Sequence, residues 1–200
     1  MARIGVLSLQ GGFAAHARAL ADLGHRPVEV RAQADLDGLD GLVLPGGEST
    51  AQLLLIDRHR LESALSQFAA SGRPILATCA GLILAAGRVT TPEQRSFGWI
   101  DATVSRNAWG RQLDSFEATT DELCLAASGA RGPMPLVFIR APRILQTGAD
   151  VQVLASLHGE PILIQQRNVT GATFHPELTS DRRVHRAAFG AGAQTATFGA

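Results

Sequence analysis

Cys79, His175 and Glu177 have the residue types and spacing that covalent chemistry needs. A thiol is a strong nucleophile once deprotonated. It then requires a base to take its proton and a further group to orient that base. Cys79 stands in Pro74-Ile75-Leu76-Ala77-Thr78-Cys79-Ala80-Gly81-Leu82. The apolar run Pro74 to Ala77 reads as a short buried strand, the small residues after it as a turn, and Leu82 to Ala86 as a helix. A nucleophile on a sharp strand-to-helix turn has its side chain exposed and backbone N–H groups aimed at the reacting atom. The N-terminus of the following helix also favours a thiolate. The competing reading is a small buried hydrophobe, the usual fate of a free cysteine.

His175-Pro176-Glu177 closes an apolar run, and residues two apart at a strand end point to the same side. Pro176 stiffens the pair. In the chemical reading, His175 takes the proton of Cys79 and later protonates the leaving group. Glu177 then accepts a hydrogen bond from the other ring nitrogen and holds the tautomer. In the structural reading, His175 is a satisfied histidine and Glu177 a solvated carboxylate.

The elements that must position these groups follow from the first ninety residues. Ile4 to Leu9 reads as a buried strand broken by Gln10-Gly11-Gly12, and Phe13 to Leu23 as a helix stopped by Gly24. Val28 to Arg31 and Gly41 to Leu44 read as strands, the latter ended by Pro45-Gly46-Gly47. A helical segment follows, with Leu61, Ala64, Leu65 and Phe68 on one face. Strands alternating with helices predict a parallel, doubly wound sheet, whose ligands lie beyond the carboxyl ends of the strands. Gln10, Gly46-Gly47-Glu48 and Cys79 all fall at such ends. The second half is richer in strands: Trp99 to Val104, Leu136 to Ile139, Val151 to Leu157, Pro161 to Gln165 and Thr170 to Phe174, with a short helix from Asp181 to Phe189. Arg106 to Gln112 and Gly129 to Pro135 read as loops.

Gly46-Gly47 is either a plain turn or a backbone donor to a developing oxyanion, with the Ala80 N–H as its partner. Glu48-Ser49-Thr50 either caps the next helix or presents polar groups to a substrate. Arg106 heads a dense polar loop and could grip a substrate α-carboxylate through two hydrogen bonds; alone, it is a solvated surface charge. Arg140 ends a strand in Phe138-Ile139-Arg140-Ala141-Pro142, where a sheet-edge charge is the plain reading.

Composition limits the alternatives. The chain is 46% hydrophobic and 18% charged, which is globular, and Lys plus Arg balances Asp plus Glu, so no nucleic-acid footprint is expected. The two cysteines, Cys79 and Cys124, suit a reducing cytoplasm, and a bridge between them would consume the candidate nucleophile. No stretch approaches bilayer length, so no membrane partner is expected. The six histidines are scattered, with no metal-ligand spacing. The glycines match neither a phosphate loop nor a dinucleotide fingerprint.

Taken in order, six strings resemble the class I, triad-type glutamine amidotransferases, and within them the glutaminase subunits of pyridoxal 5′-phosphate synthase. They are Gly5-Val6-Leu7-Ser8-Leu9-Gln10-Gly11, Leu44-Pro45-Gly46-Gly47-Glu48-Ser49-Thr50, Thr78-Cys79-Ala80-Gly81-Leu82-Ile83, Arg106-Asn107 with Gly110 through Glu117, Phe138 to Pro142, and Phe174-His175-Pro176-Glu177-Leu178-Thr179. The resemblance spans Ile4 to about Arg186. It implies a flavodoxin-like three-layer α/β/α sandwich with a mostly parallel central sheet. It implies a Cys79–His175–Glu177 triad, oxyanion donors at Gly47 and Ala80, and L-glutamine contacts at Gly47, Glu48, Ser49, Arg106, Ile139 and Arg140. It further implies hydrolysis through a γ-glutamyl thioester and ammonia supply to a separate (β/α)₈-barrel synthase subunit in a heteromeric complex. Activation by that partner would act around Gln10 and Gly46. No cofactor is implied, pyridoxal 5′-phosphate being the product of the complex.

The chain departs from the family in having Ala77 where glycine is common, two residues before the cysteine. Cys124 matches nothing. Residues 1–190 are expected to form one amidotransferase domain and 191–200 a frayed tail. Two rival readings are a glutamine-sensing or assembly module without turnover, and another thiol hydrolase on a related fold, such as a γ-glutamyl peptidase.

Overall fold

Alternation along the strands sends successive apolar side chains to opposite faces of one sheet. In the computed structural model, which describes residues 1–106, 115–120, 122–123 and 132–190, this alternation builds three layers. The elements, in order, are β1 (Arg3–Leu7), α1 (Phe13–Asp22), β2 (Arg26–Val30), β3 (Gly41–Leu44), α2 (Ser49–Arg58), α3 (Glu62–Ala70), β4 (Ile75–Thr78), α4 (Ala80–Ala85) and β5 (Ala86–Thr90). They continue with β6 (Ile100–Ser105), β7 (Ser115–Thr119), β8 (Glu122–Leu123), β9 (Pro135–Ile139), β10 (Arg143–Thr147), β11 (Gln152–Leu157), β12 (Glu160–Gln166), β13 (Val169–Ala172) and α5 (Arg183–Phe189).

The central sheet has the order β2-β1-β3-β4-β13-β12-β11-β8. Its first five strands run parallel, and β12, β11 and β8 extend it antiparallel. On one face Ile4, Val6, Val43 and Leu76 pack with Leu20 of α1 and with Val184, Ala188 and Phe189 of α5. On the other, Leu7, Leu42, Leu44, Ile75 and Ala77 pack with Leu53 and Ile56 of α2, Leu65 and Phe68 of α3, and Leu82 of α4. Each such fully buried side chain contributes about 1.5–3 kcal/mol of transfer free energy, which fixes the register of the strands and hence the height of the loops above them. Two smaller sheets, β10-β6-β5 and β7-β9, flank this body.

The fold agrees with the expected three-layer α/β/α arrangement, with local differences. The helical segment after Gly47 is two helices, interrupted at Arg60, whose φ is 54°. The helix expected from Leu82 to Ala86 begins at Ala80 and stops at Ala85. The stop has a clear cause: Phe97, Gly98 and Trp99 donate backbone hydrogen bonds to the carbonyls of Leu84, Ala86 and Ala85, capturing the helix end. Strands β5, β7, β8 and β10 are not expected from the sequence. The side chains of β7 alternate between exposed and half-buried, so it has no buried face to give a pattern. Among the described residues no helix is long and apolar enough to cross a membrane. Cys124, the 191–200 tail and the polar loop from 107 to 114 lie outside the described residues.

Candidate active site

The order β1-β3-β4-β13 brings four loops together at one end of the sheet. In a parallel sheet that end is where a strand-to-helix turn can present polar groups without interrupting the ladder. Leu44 pairs with Ala77 and Ala172 with Thr78, so the turns after β3 and β4 and the segment after β13 leave the sheet at one level.

Cys79 occupies the turn between β4 and α4, with φ 48° and ψ −106°. A non-glycine residue in this region costs on the order of 1–3 kcal/mol, which the surrounding structure must impose. Here the Cys79 N–H donates to the Ala172 carbonyl at 2.8 Å and the Cys79 carbonyl accepts from Ile83 at 3.2 Å, so both sides of the peptide are pinned. Ala77, two residues earlier, is an ordinary fully buried strand residue, and its methyl is accommodated in the core. Cys79 is 5% exposed, and its thiol lies 3.9 Å from the Ile139 carbonyl at the end of β9. Ala80 holds the first position of α4, where a backbone N–H has no intrahelical acceptor.

His175 follows β13 and donates from Nδ1 to Glu177 Oε1, 2.7 Å away. The structure thus brings these two residues into direct contact, and Glu177 is buried, not solvated. The ring also lies against Gly46: a methyl on Gly46 would stand 2.4 Å from His175 Cε1 and 3.3 Å from Cys79 Cβ. The glycine is therefore required by close approach, and the same contact shows that the sulfur-bearing carbon and the imidazole share one small space. His175 Nε2 is buried with no full hydrogen bond. Burial alone would strip its proton. The neighbouring Cys79 and the Glu177 carboxylate overcome this and push its pKa up to about 10, so that at neutral pH the ring is an imidazolium. Burial also opposes the charge on Glu177, but His16 and His175 hold its carboxyl below the usual range.

The loop after β3 is clamped from two directions. Gln10 Oε1 accepts the Glu48 N–H at 2.9 Å. Gln52 of α2, 1% exposed, donates through Nε2 to the Pro45 carbonyl at 3.1 Å and the Gln10 carbonyl at 3.3 Å. Gly47, between them, has φ 154°. Glu48 caps α2, accepting from the Thr50 and Ala51 N–H groups at 3.1 and 2.6 Å. Burial works against its charge, but these bonds and Arg106 keep its carboxyl below its ordinary value. Arg106 Nη2 donates to Glu48 Oε1 at 3.1 Å and Thr50 Oγ1 at 3.0 Å, a half-buried guanidinium brought beside the β3 loop from 56 residues away in sequence. The Ser49 hydroxyl is turned to Gln94 Oε1 at 2.9 Å. Ile139 is 41% exposed, and Arg140, at φ 45°, is exposed beside it.

Every residue nominated from the sequence thus stands on the turns at this end of the sheet or beside them. Sequence reasoning missed Gln52, Gln94, Thr78 and His16. A signal existed for two of them. Gln52 falls on the face of α2 that carries Leu53 and Ile56, and His16 on the face of α1 that carries Ala15, Ala19 and Leu20. A polar side chain on an apolar helix face implies a buried partner. Among the described residues, no group of three or more His, Cys, Asp or Glu side chains could hold a metal ion.

Comparison with known proteins points to one family. Residues 6–190 match the model of the SNO glutamine amidotransferase family. A protein of Solibacter usitatus named pyridoxal 5′-phosphate synthase subunit PdxT is 48% identical over 186 residues, covering 92% of this chain and 96% of its own. The protein of that name from Shouchella clausii is 45% identical over 185 residues, covering 92% of each chain. A crystal structure described as a glutamine amidotransferase superposes with a TM-score of 0.83 at 41% identity, covering 92% of this chain and 95% of the other. The PurLQS structure from Thermotoga maritima, at 18% identity and a TM-score of 0.70, shares the fold.

Proposed function

Because the chain belongs to the SNO glutamine amidotransferase family, we propose that it hydrolyses L-glutamine to L-glutamate and ammonia with Cys79, His175 and Glu177 as a triad, serving as the glutaminase subunit of a cytoplasmic pyridoxal 5′-phosphate synthase. The observation that carries this reading is one imidazole held by a buried carboxylate on one side and packed, together with the strained cysteine, against Gly46 on the other.

The chemistry follows from the proton inventory. The Cys79 sulfur, its proton on His175, attacks the carboxamide carbon of glutamine. The carbonyl oxygen gains the negative charge and is met by the N–H groups of Ala80 and Gly47. As the tetrahedral species collapses, the C–N bond breaks, the imidazolium gives its proton to the departing nitrogen, and ammonia leaves a γ-glutamyl thioester on Cys79. Water then attacks the thioester carbon, His175 takes its proton, and the C–S bond breaks to release glutamate. Glu177 stabilises the imidazolium each time it forms and holds the tautomer with Nε2 free for transfer. Glu48, Ser49, Arg106 and the backbone at Ile139 and Arg140 are assigned to the amino-acid end of the substrate. Arg106, whose contacts among the described residues all use Nη2, retains further N–H groups to offer a carboxylate.

The relatives' name supports a separate synthase subunit as the recipient of ammonia. We assign that partner a (β/α)₈ barrel, and place its activating influence at Gln10 and Gly46, where side chain and turn meet. The test is glutamate release from L-glutamine by the wild-type chain and by Cys79→Ala, each with and without the synthase subunit. Release that requires Cys79 and rises with the partner is expected. Equal release by Cys79→Ala sinks the triad, and γ-glutamyl peptides outcompeting glutamine sinks the substrate.

A further inference from the structure

Glu177 has two carboxylate oxygens, and the triad uses one. Its Oε2 lies 3.2 Å from Nε2 of His16, a residue of α1 that is 0% exposed. The same nitrogen is 3.0 Å from Oγ1 of Thr78, the residue before the nucleophile. On its far side, His16 Nδ1 is 2.9 Å from Nε2 of His185 in α5, also 0% exposed. A buried line therefore runs from α5 through α1 to the carboxylate behind the imidazole.

The direction of the protons along this line can be worked out. If His16 carried its proton on Nδ1, a bare lone pair would face the Glu177 carboxylate. If it carries the proton on Nε2, that N–H donates to Thr78 Oγ1 with Glu177 Oε2 beside it at 3.2 Å, and Nδ1 accepts from the Nε2–H of His185. Along this line the second arrangement leaves His185 Nδ1 as an acceptor without a donor, and leaves Glu177 Oε2 with the His16 Nε2–H as its nearest polar neighbour at 3.2 Å, a close contact short of a full hydrogen bond. That is cheaper than an orphaned buried N–H. Both rings are neutral: burial lowers His16 to about 4 despite the pull of Glu177, and lowers His185 well below its ordinary value. Neutrality matters here, because a charged His16 would compete with the His175 imidazolium for the same carboxylate.

We propose that His16 is a positioning residue for Glu177, its Nε2–H steadying the carboxylate oxygen that His175 does not use, with His185 fixing the tautomer that makes this possible. The inference rests on the triad reading given above. It places a donor relay behind the carboxylate, so that Glu177 cannot rotate away from His175 without losing its second partner. The titratable groups facing His16 are Glu177 and His175 after β13 and His185 on α5, with Arg182 beside His185.

The experiment measures alkylation of Cys79 by iodoacetamide, in a Cys124→Ser background so that one thiol remains. It needs neither glutamine nor a partner. Glutamine and asparagine at position 16 are both neutral amides, but the first carries its N–H where Nε2 stood and the second where Nδ1 stood. His16→Gln is expected to retain the neutral-pH rate within about threefold, and His16→Asn to lose about tenfold, the worth of one hydrogen bond to a charged group. At strongly alkaline pH, where solvent takes the thiol proton, the two are expected to converge. Equal neutral-pH rates for the two variants overturn the proposal, as does a deficit in His16→Asn that persists at alkaline pH, which would mean a merely structural role. His175→Ala is the control for the triad itself: an unchanged neutral-pH rate there overturns the triad reading and this inference with it, whereas a slowed His175→Ala beside a normal His16→Asn overturns this inference alone.

Discussion

Gly46 and His175 touch so closely that any side chain on the former must displace the ring of the latter, a methyl carbon standing 2.4 Å from Cε1. Gly46→Ala is therefore expected to lower kcat for glutamine hydrolysis by about 100-fold, the scale at which a misplacement of about 1 Å is felt. KM is expected to move far less, because the contacts proposed for the substrate's amino-acid end lie elsewhere. Steady-state kinetics beside a far-UV CD spectrum checks this; wild-type turnover in a folded Gly46→Ala enzyme contradicts it.

Glu177→Gln preserves shape but offers the imidazole an amide whose N–H can point at Nδ1. The wrong tautomer follows, and on the proposed triad kcat is expected to fall by about 10³–10⁴-fold, the scale seen when a serine–histidine–aspartate triad loses its acid while keeping geometry. A loss under tenfold would reduce Glu177 to a structural carboxylate.

Arg106 lies beside the β3 loop without touching Cys79 or His175, so its loss should act on binding. Arg106→Ala is expected to raise KM for glutamine by about tenfold or more with kcat nearly unchanged, and Arg106→Lys to recover only part, since an ammonium cannot make the planar two-point contact. An effect confined to kcat would reassign it.

Acid stability should report the buried histidines. His16 and His185 titrate near 6.5 when unfolded, but folded His16 does so only at about 4 and His185 well below 6.5. Their folded pKa values are depressed, so below 6.5 the unfolded chain binds protons that the folded chain refuses. Stability is whole above pH 6.5 and declines as pH falls toward 4, by up to about 1.4 kcal/mol per unit for each ring. His175 has the opposite sign: raised to about 10, it contributes fully below pH 6.5 and its contribution is lost as pH rises through 10, so it is silent in the acid window. Urea midpoints at several pH values between 7.5 and 4.5 measure the slope. His16→Gln, which cannot titrate, should flatten it, and an unchanged slope in that variant refutes the assignment.

The sequence made the parallel half of the sheet legible because β1, β3 and β4 are buried on both faces and read as continuous apolar runs. Cys79, His175 and Glu177 were legible for a different reason: their types and local strings constrain chemistry directly. What stayed hidden depended on contacts between distant segments. Nothing local marks β7, which exists because it pairs with β9. Nor does anything near Cys79 reveal that Glu177 has a second neighbour at position 16, since the two meet only when α1 packs over the segment after β13. Arg106 could be nominated, but its partnership with Glu48 and Thr50 spans more than fifty residues and appears only in three dimensions.

The amide of Gln52 hydrogen-bonds to Pro45 and to Gln10 at once. Two turns belonging to different strands thus share a single rivet set in a helix. Neither turn can swing on its own, so a force applied from outside to one would be transmitted to the other and along the helix to its far end.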